Sequence, residues 1–228
     1  MQNFFFKYIL MPALLLMIET NLFGQNENFF HINAGYVGTT YRTTTAGIST
    51  WYSPGVFGPV IPIEITEKLS GISVGGGYNL HIKKIFRIDF GLDYYFSWSG
   101  NRYKNGRILV ENSKFHSMNL PIELIGEVEI NDNWAFFTFV KPTLSCGIIS
   151  KSDSRKVNDV VQKIDFDYYE KAKMQRVNFY LGPGAGFRFK NIILKGGVDW
   201  AIHKVFKEND IRQVQFYIKL AYAFNYQK

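Results

Sequence analysis

From Phe86 to Trp98 the chain alternates without a break. Phe86, Ile88, Phe90, Leu92, Tyr94, Phe96 and Trp98 share one face; Arg87, Asp89, Gly91, Asp93, Tyr95 and Ser97 share the other. A period of two is the strand period, because successive side chains point to opposite faces of a sheet. The end of the chain repeats it, with Val214, Phe216, Ile218, Leu220, Tyr222, Phe224 and Tyr226 on one face and Gln213, Gln215, Tyr217, Lys219, Ala221, Ala223 and Asn225 on the other. Six further segments follow the same rule less sharply: Phe30 to Tyr41, Ser70 to Ile82, Phe115 to Glu127, Trp134 to Ile148, Arg176 to Phe189 (with an irregularity expected near Pro183 and Gly184) and Ile192 to Lys204. The pattern predicts eight strands of about 12 to 15 residues, long for a soluble sheet. Tilted by about 40°, such strands cross an apolar band of about 25 Å.

The connections between these segments alternate in length. Long ones run from Arg42 to Leu69, Ser99 to Lys114, Ser150 to Gln175 and Val205 to Arg212; short ones lie at Lys83 to Ile85, Val128 to Asn133 and Lys190 to Asn191. Short turns at one end and longer loops at the other are the pattern of an outer-membrane barrel. The expected fold is therefore all-β: an eight-stranded antiparallel up-and-down transmembrane β-barrel. An even strand count then puts both termini on the periplasmic side.

Periodicity defines two faces but not which one points inward. A membrane barrel turns its apolar face outward, whereas a lipocalin-type barrel turns it inward. The polar face carries Arg87, Asp89, Asp93, Glu123, Lys141, Arg176, Arg188, Lys195, Asp199 and Lys219, enough mixed charge for an internal ion-pair network. The apolar face is aromatic near the strand ends, at Phe86, Trp98, Trp134, Trp200 and Tyr226, as interface girdles require. Both features, with the strand length, favour the membrane arrangement. His31 and His203 are expected on the lumen side.

The first residues fit neither face. Met1 to Lys7 is short and basic, Tyr8 to Ile18 is apolar, and Glu19 to Gly24 is more polar and ends in a small residue. These are the parts of an export signal. The reading is a signal peptide over residues 1–24 and a barrel domain over 25–228, with no lipid anchor, because no Cys follows the cleavage site, and no separate periplasmic domain.

Composition narrows the picture further. The 228 residues are 46% hydrophobic and 17% aromatic, yet mean hydropathy is only −0.09. Beyond the first 25 residues no apolar run approaches the roughly 20 residues of a spanning helix. The net charge of +7 is spread along the chain and selects no partner class by itself. One cysteine, Cys146, excludes a disulfide framework and a multi-cysteine metal site.

Taken together, the stretch Met118 to Leu124 (MNLPIEL), the stretch Leu181 to Gly186 (LGPGAG) and the closing alternation Tyr217 to Phe224 resemble the outer-membrane β-barrel family of PorT-like small barrels. The resemblance covers the chain after residue 24 and implies the fold and an outer-membrane location. It also implies, as one role among several, an accessory subunit of a secretion or envelope machine. The chain departs from the usual assembly signal in ending on Tyr226, Gln227 and Lys228 rather than on an aromatic residue.

Candidate chemistry is sparse. Gly182, Gly184 and Gly186 do not make a phosphate cradle, since Phe187 continues a strand where a helix is needed; relief of crowding accounts for them, and for Gly75 to Gly77. His116 and Ser117 are the one adjacent base–nucleophile pair, and strand geometry sends them to opposite faces. A lipid-modifying barrel enzyme is thus the weakest alternative. No catalytic residue, cofactor or metal site is assigned, and Cys146 reads as a small lipid-facing hydrophobe.

Function then falls to the outer loops. The second carries Arg102, Lys104, Arg107, Glu111 and Lys114; the third mixes Lys151, Arg155, Lys156, Lys163, Lys171 and Lys173 with Asp153, Asp159, Asp165, Asp167 and Glu170. The first is apolar for an exposed tip, and Trp51, Tyr52 and Phe57 are its candidate contact residues, or a cap over the mouth. The expectation is a monomeric, non-enzymatic barrel with a packed polar lumen. Its partners would be outer-membrane lipid, lipopolysaccharide and an envelope protein, and not nucleic acid.

Overall fold

The computed structural model describes residues 28–45, 52–53, 56–57, 63–83, 85–99, 101–104, 107–157, 160–171, 173–205 and 211–224. Residues 1–24, where a signal peptide is expected, lie outside them, as do Trp51 and Tyr226.

Strands form where the alternation is found. In chain order they are β1 (Phe29–Thr45), β2 (Tyr52–Ser53), β3 (Val56–Phe57), β4 (Ile63–Lys83), β5 (Phe86–Ser99), β6 (Asn101–Lys104), β7 (Arg107–Glu129), β8 (Trp134–Val157), β9 (Val160–Asp167), β10 (Val177–Phe189), β11 (Ile192–Ala201) and β12 (Ile211–Phe224). Eight of these close a ring in the order β1, β4, β5, β7, β8, β10, β11, β12 and back to β1, every pair antiparallel. The protein is a closed eight-stranded antiparallel β-barrel.

The register carries a stagger. From Phe30, partners lead through Tyr78 and Phe90 to Ile122, which stands level with Pro142 of β8 between the pairs Pro121–Thr143 and Leu124–Val140, and on through Leu181, Trp200 and Val214. The path returns to β1 at Thr40, ten positions beyond Phe30. A stagger of that size tilts the strands by about 40°.

Burial follows the two faces. Lys141 and Lys219 are 1% and 2% exposed, whereas Ile32, Ile218 and Leu220 are more than half exposed. The apolar face points outward and the charged face fills the lumen, so the lipocalin-type alternative is wrong for this chain. Inward-facing glycines make room for the bulky interior. A methyl group at Gly75 would meet Asp93, one at Gly182 would meet Asp199, and one at Gly184 or Gly186 would meet Phe139 or Phe137. Pro121 also faces inward against Gly91, where the β5–β7 ladder skips Gly91 and Leu92.

Two expectations about strand extent are corrected. The connections placed at Ser99 to Lys114 and Ser150 to Gln175 are largely strand: β7 and β8 pair as far out as Leu109 with Val157, and β6 and β9 flank them. Crossing the band takes about 9–11 residues, so roughly half of the 23-residue β7 and the 24-residue β8 stands beyond it. The expected irregularity near Pro183 and Gly184 is one-sided: the β10–β11 ladder skips Gly182 and Pro183 without a register shift, whereas the β8–β10 register runs unbroken from Val177 to Phe189. It is β8 that bulges, where Ile148 and Ile149 both turn outward between the pairs Ser117–Gly147 and His116–Ile149.

The opposite rim is tight. Asn131 Oδ1 accepts from the backbone N–H groups of Asn133 and Trp134 in the β7–β8 turn. Lys190 takes φ 50° in the two-residue β10–β11 turn, and its N–H reaches Asn133 O at 2.9 Å.

Candidate functional site

Strand parity sends the odd residues of β5, β7 and β11 into the barrel together, and their charges pair across it. At the tight-turn end, Glu127 accepts from two arginines: Arg188 Nη2 lies 2.5 Å and Arg87 Nη2 3.3 Å from its Oε1. Above them Lys195 Nζ sits 2.8 Å from Glu123 and 3.6 Å from Asp89, and His31 Nε2 lies 2.8 Å from the same Asp89. Higher still, Lys219 meets Asp93 at 2.5 Å, Asn33 donates to Asp93 at 3.1 Å, and Lys141 meets Asp199 at 2.8 Å. The Tyr217 ring lies under the Lys141 ammonium, 3.5 Å from its centroid.

Among the described residues this interior holds five buried cations (Arg87, Lys141, Arg188, Lys195, Lys219) and five buried carboxylates (Asp89, Asp93, Glu123, Glu127, Asp199). Counted as lysine and arginine against aspartate and glutamate, these charges cancel. The excess charge of +7 therefore resides elsewhere in the chain. Burial of an ion costs several kcal/mol unless it is paired, so each pair answers the cost of its neighbour. What space remains is small: the cavity between Phe29, His31, Asn79, Glu123, Arg188 and Lys195 has room for a water or two.

Nine of the ten residues expected in the lumen are there. The tenth, Arg176, is exposed, since it stands at the mouth where β10 has not yet begun, and its guanidinium stacks on Tyr169 at 4.5 Å. His203 is also exposed, because β11 ends at Ala201 and no strand carries it inward. His31 is buried as expected. The sequence reading did not single out Glu127 or Asn33, and it placed Tyr217 on the polar face without giving it a role. Glu127 was within reach, sitting two residues beyond Ile125 in the same odd series.

The mouth is covered by residues 166–171 and 173–176. Asp167 Oδ1 accepts from the N–H groups of Tyr169 and Glu170, which turns the chain back over the barrel. Tyr168 N–H donates to Ser150 O at 2.9 Å, and its hydroxyl lies 2.9 Å from Ser113 Oγ. Its ring packs against Phe115 and Phe166. The Tyr169 hydroxyl fills the space that Gly147 leaves open, and Met174 is buried against Ser150. Burial pushes the Tyr169 phenol up to about 12, against the opposing pull of Arg176. Beneath this cap Thr39, Ser97, Ser117, Ser145 and Asn178 line a cavity for a few waters, crossed by the 2.8 Å bond from Tyr180 to Gln213. The cap was expected from the first loop. The third supplies the one seen, while Tyr52 and Phe57 lie in the small β2–β3 ladder, their side chains and Trp51 outside the described residues.

On the outer wall Phe86 and Trp134 mark the tight-turn end and Trp98 and Trp200 the mouth end, all four exposed. Trp134 packs on Phe189 at 4.6 Å. Cys146 is exposed on this wall. His116 also faces outward, bound through Nδ1 to the Tyr94 hydroxyl, while Ser117 faces the mouth cavity. Among the described residues no His, Cys, Asp and Glu side chains are grouped to hold a metal ion. No described helix is long and apolar enough to cross a membrane, which says nothing of crossing by strands.

No protein-family model matches the chain, and no curated protein does. Among the solved structures that resemble it are three barrel proteins. Neisserial surface protein A is 16% identical, with 86% of this chain and 97% of that one covered and a TM-score of 0.41. Ail, the attachment invasion locus protein of Yersinia pestis, is 11% identical over 87% of this chain and 99% of its own, with a TM-score of 0.38. A de novo designed transmembrane β-barrel is 12% identical, with 85% and 95% covered and a TM-score of 0.28. The chain is similar to these barrels; its own eight-stranded ring is defined by the ladders described above.

Proposed function

We propose that this protein is a non-enzymatic barrel of the bacterial outer membrane, with both termini periplasmic, that works as a structural or interaction protein through the sheet it raises above the bilayer. The observation that supports this reading is the inverted burial: a continuous apolar wall outside and a charge-balanced, nearly solid interior. An apolar surface of that extent needs lipid to cover it. The filled lumen leaves no aqueous path, and the extension of β7 and β8, flanked by β6 and β9, offers backbone edges to a partner.

The test is fractionation followed by reconstitution. The protein should partition with the outer membrane and migrate faster on gels before boiling than after. In planar bilayers it should be electrically silent; steady conductance of porin size would overturn the filled lumen. Recovery in the soluble periplasmic fraction would overturn the membrane location. A stoichiometric envelope protein retained in mild detergent would instead favour the accessory role that the PorT-like resemblance implies.

A further inference from the structure

The charged filling of the lumen stops below the mouth. Asp93 on β5, Lys141 on β8 and Lys219 on β12 each lie four residues down the barrel from an uncharged inward residue: Ser97, Ser145 and Gln215. The uncharged residues meet across the ladders. Ser145 pairs with Asn178, Thr39 with Gln215, and Ser117 with Tyr95. They line the cavity beneath the cap, and no lysine, arginine, aspartate or glutamate is among its described lining residues. Counted to where it opens to solvent, the void spans about 450 Å³, and sites for small ligands measure about 300–1,000 Å³. The part enclosed under the cap holds only a few waters.

One group there lacks a partner. Asn178 is 7% exposed, its Nδ2 donates to Gln175 O at 3.0 Å, and its Oδ1 is buried with no hydrogen bond. Turning the amide over does not help, because Oδ1 would then face the Gln175 carbonyl. A buried acceptor left unpaired is costly, so the site calls for a donor that the barrel wall does not supply.

The chemistry of the lining selects the ligand. Without charged groups the cavity offers no counterion to a phosphate or a carboxylate. The amides of Asn178, Gln213 and Gln215 and the hydroxyls of Ser97, Ser117 and Ser145 both donate and accept, as sugar hydroxyls do. Tyr95, Phe115 and Tyr180 add aromatic rings, against which the C–H faces of a pyranose pack. The cap already holds a ring with one hydroxyl over this cavity, since the Tyr169 phenol occupies the space beside Gly147.

We infer that the mouth cavity is a site for a neutral pyranose sugar, which takes the place of Tyr169 and Met174 as the cap lifts and donates a hydroxyl hydrogen to Asn178 Oδ1. The inference rests on the membrane reading above, which turns the mouth to the cell exterior.

The test uses the full barrel inserted in phosphatidylcholine nanodiscs free of glycoside detergent. Binding is followed by saturation-transfer NMR with glucose, galactose, mannose and N-acetylglucosamine, each free and as its methyl glycoside, and with glucose 6-phosphate and glucuronic acid. The expected result is saturable binding of at least one neutral sugar, weakened about tenfold in N178L, and no binding of the two charged sugars. Protease cleavage within the cap should quicken several-fold at saturation. Tighter binding of the methyl glycoside assigns the end of a glycan chain as the source, and tighter binding of the free sugar a monosaccharide; either supports the site. Each protein is first shown to be inserted and heat-modifiable, and failure of the native protein to insert would count against the membrane reading instead. No binding of any neutral sugar by the inserted native protein, equal binding by inserted N178L, or equal binding of the charged sugars would overturn the site. A cleavage rate indifferent to bound sugar would overturn the movement of the cap. If N178L does not insert, Q215L, which removes a second amide, takes its place with the same expected loss.

Discussion

Single residues inside the barrel are constrained by charge, and those in its turns by backbone shape. Lys219 and Asp93 are both buried, and removing either leaves the other as an unpaired ion. Lys219→Met should therefore cost about 3–5 kcal/mol, read as a lower urea midpoint for the micelle-bound barrel. The double variant with Asp93→Leu should recover much of the loss, since a buried ion pair replaced by apolar groups is often neutral. Lys190 shows the second constraint. Its φ of 50° is costly for a side-chain-bearing residue, and the first position of a turn that is positive only there is the place for glycine. Lys190→Gly should stabilise the barrel by about 0.5–1 kcal/mol, read as a higher urea midpoint. Tyr169 links chemistry to the cap. Its folded pKa of about 12 exceeds the ordinary 10.0, so the stability it adds is complete below pH 10 and is lost as pH rises toward 12. Protease cleavage within residues 166–176 should accelerate across that window, and Y169F should remove the dependence. Most of these residues were legible in the sequence as members of a polar face. Their partners were not, because alternation assigns a side and the ten-residue stagger decides who meets whom.

Among the elements, the ones that cross the apolar belt were readable and the ones that rise above it were not. Inside the belt every second residue must be apolar, so β5 and β12 stand out from Phe86 and Val214 onward. Above it neither face meets lipid, and the outer halves of β7 and β8 lose the pattern while keeping their hydrogen bonds. The charge-rich run around Lys151 to Lys173 concealed the cap for the same reason: its anchoring residues are three, Tyr168, Tyr169 and Met174, scattered among solvated ones. Asp167 followed by two tyrosines was the available signal, an acceptor that turns the chain ahead of two anchoring rings. Cap and lumen close the barrel independently. Replacing residues 168–174 with a glycine–serine linker should leave the protein folded and still silent in planar bilayers, since the ion pairs below it remain. An open-channel current in that variant would mean that the cap alone seals the mouth.

The whole molecule is a ring whose interior adds up only when the ring is complete. Its buried polar pairs join residues far apart in the chain: 58 positions separate His31 from Asp89, 61 separate Glu127 from Arg188, 72 separate Glu123 from Lys195, and 126 separate Asp93 from Lys219. A hairpin such as β4–β5 entering lipid by itself would carry Asp89 and Asp93 with no cation opposite. Half-formed barrels are thus penalised twice, by unpaired strand edges and by orphaned charges. Assembly of this chain should be concerted, with β1 meeting β12 before the charged face is committed to the bilayer interior, and slow, as contacts of such sequence separation require. The ion pairs that fill the lumen act in this sense as a proofreading step: a mis-registered barrel cannot neutralise itself, and only the one closure that brings Thr40 beside Val214 does.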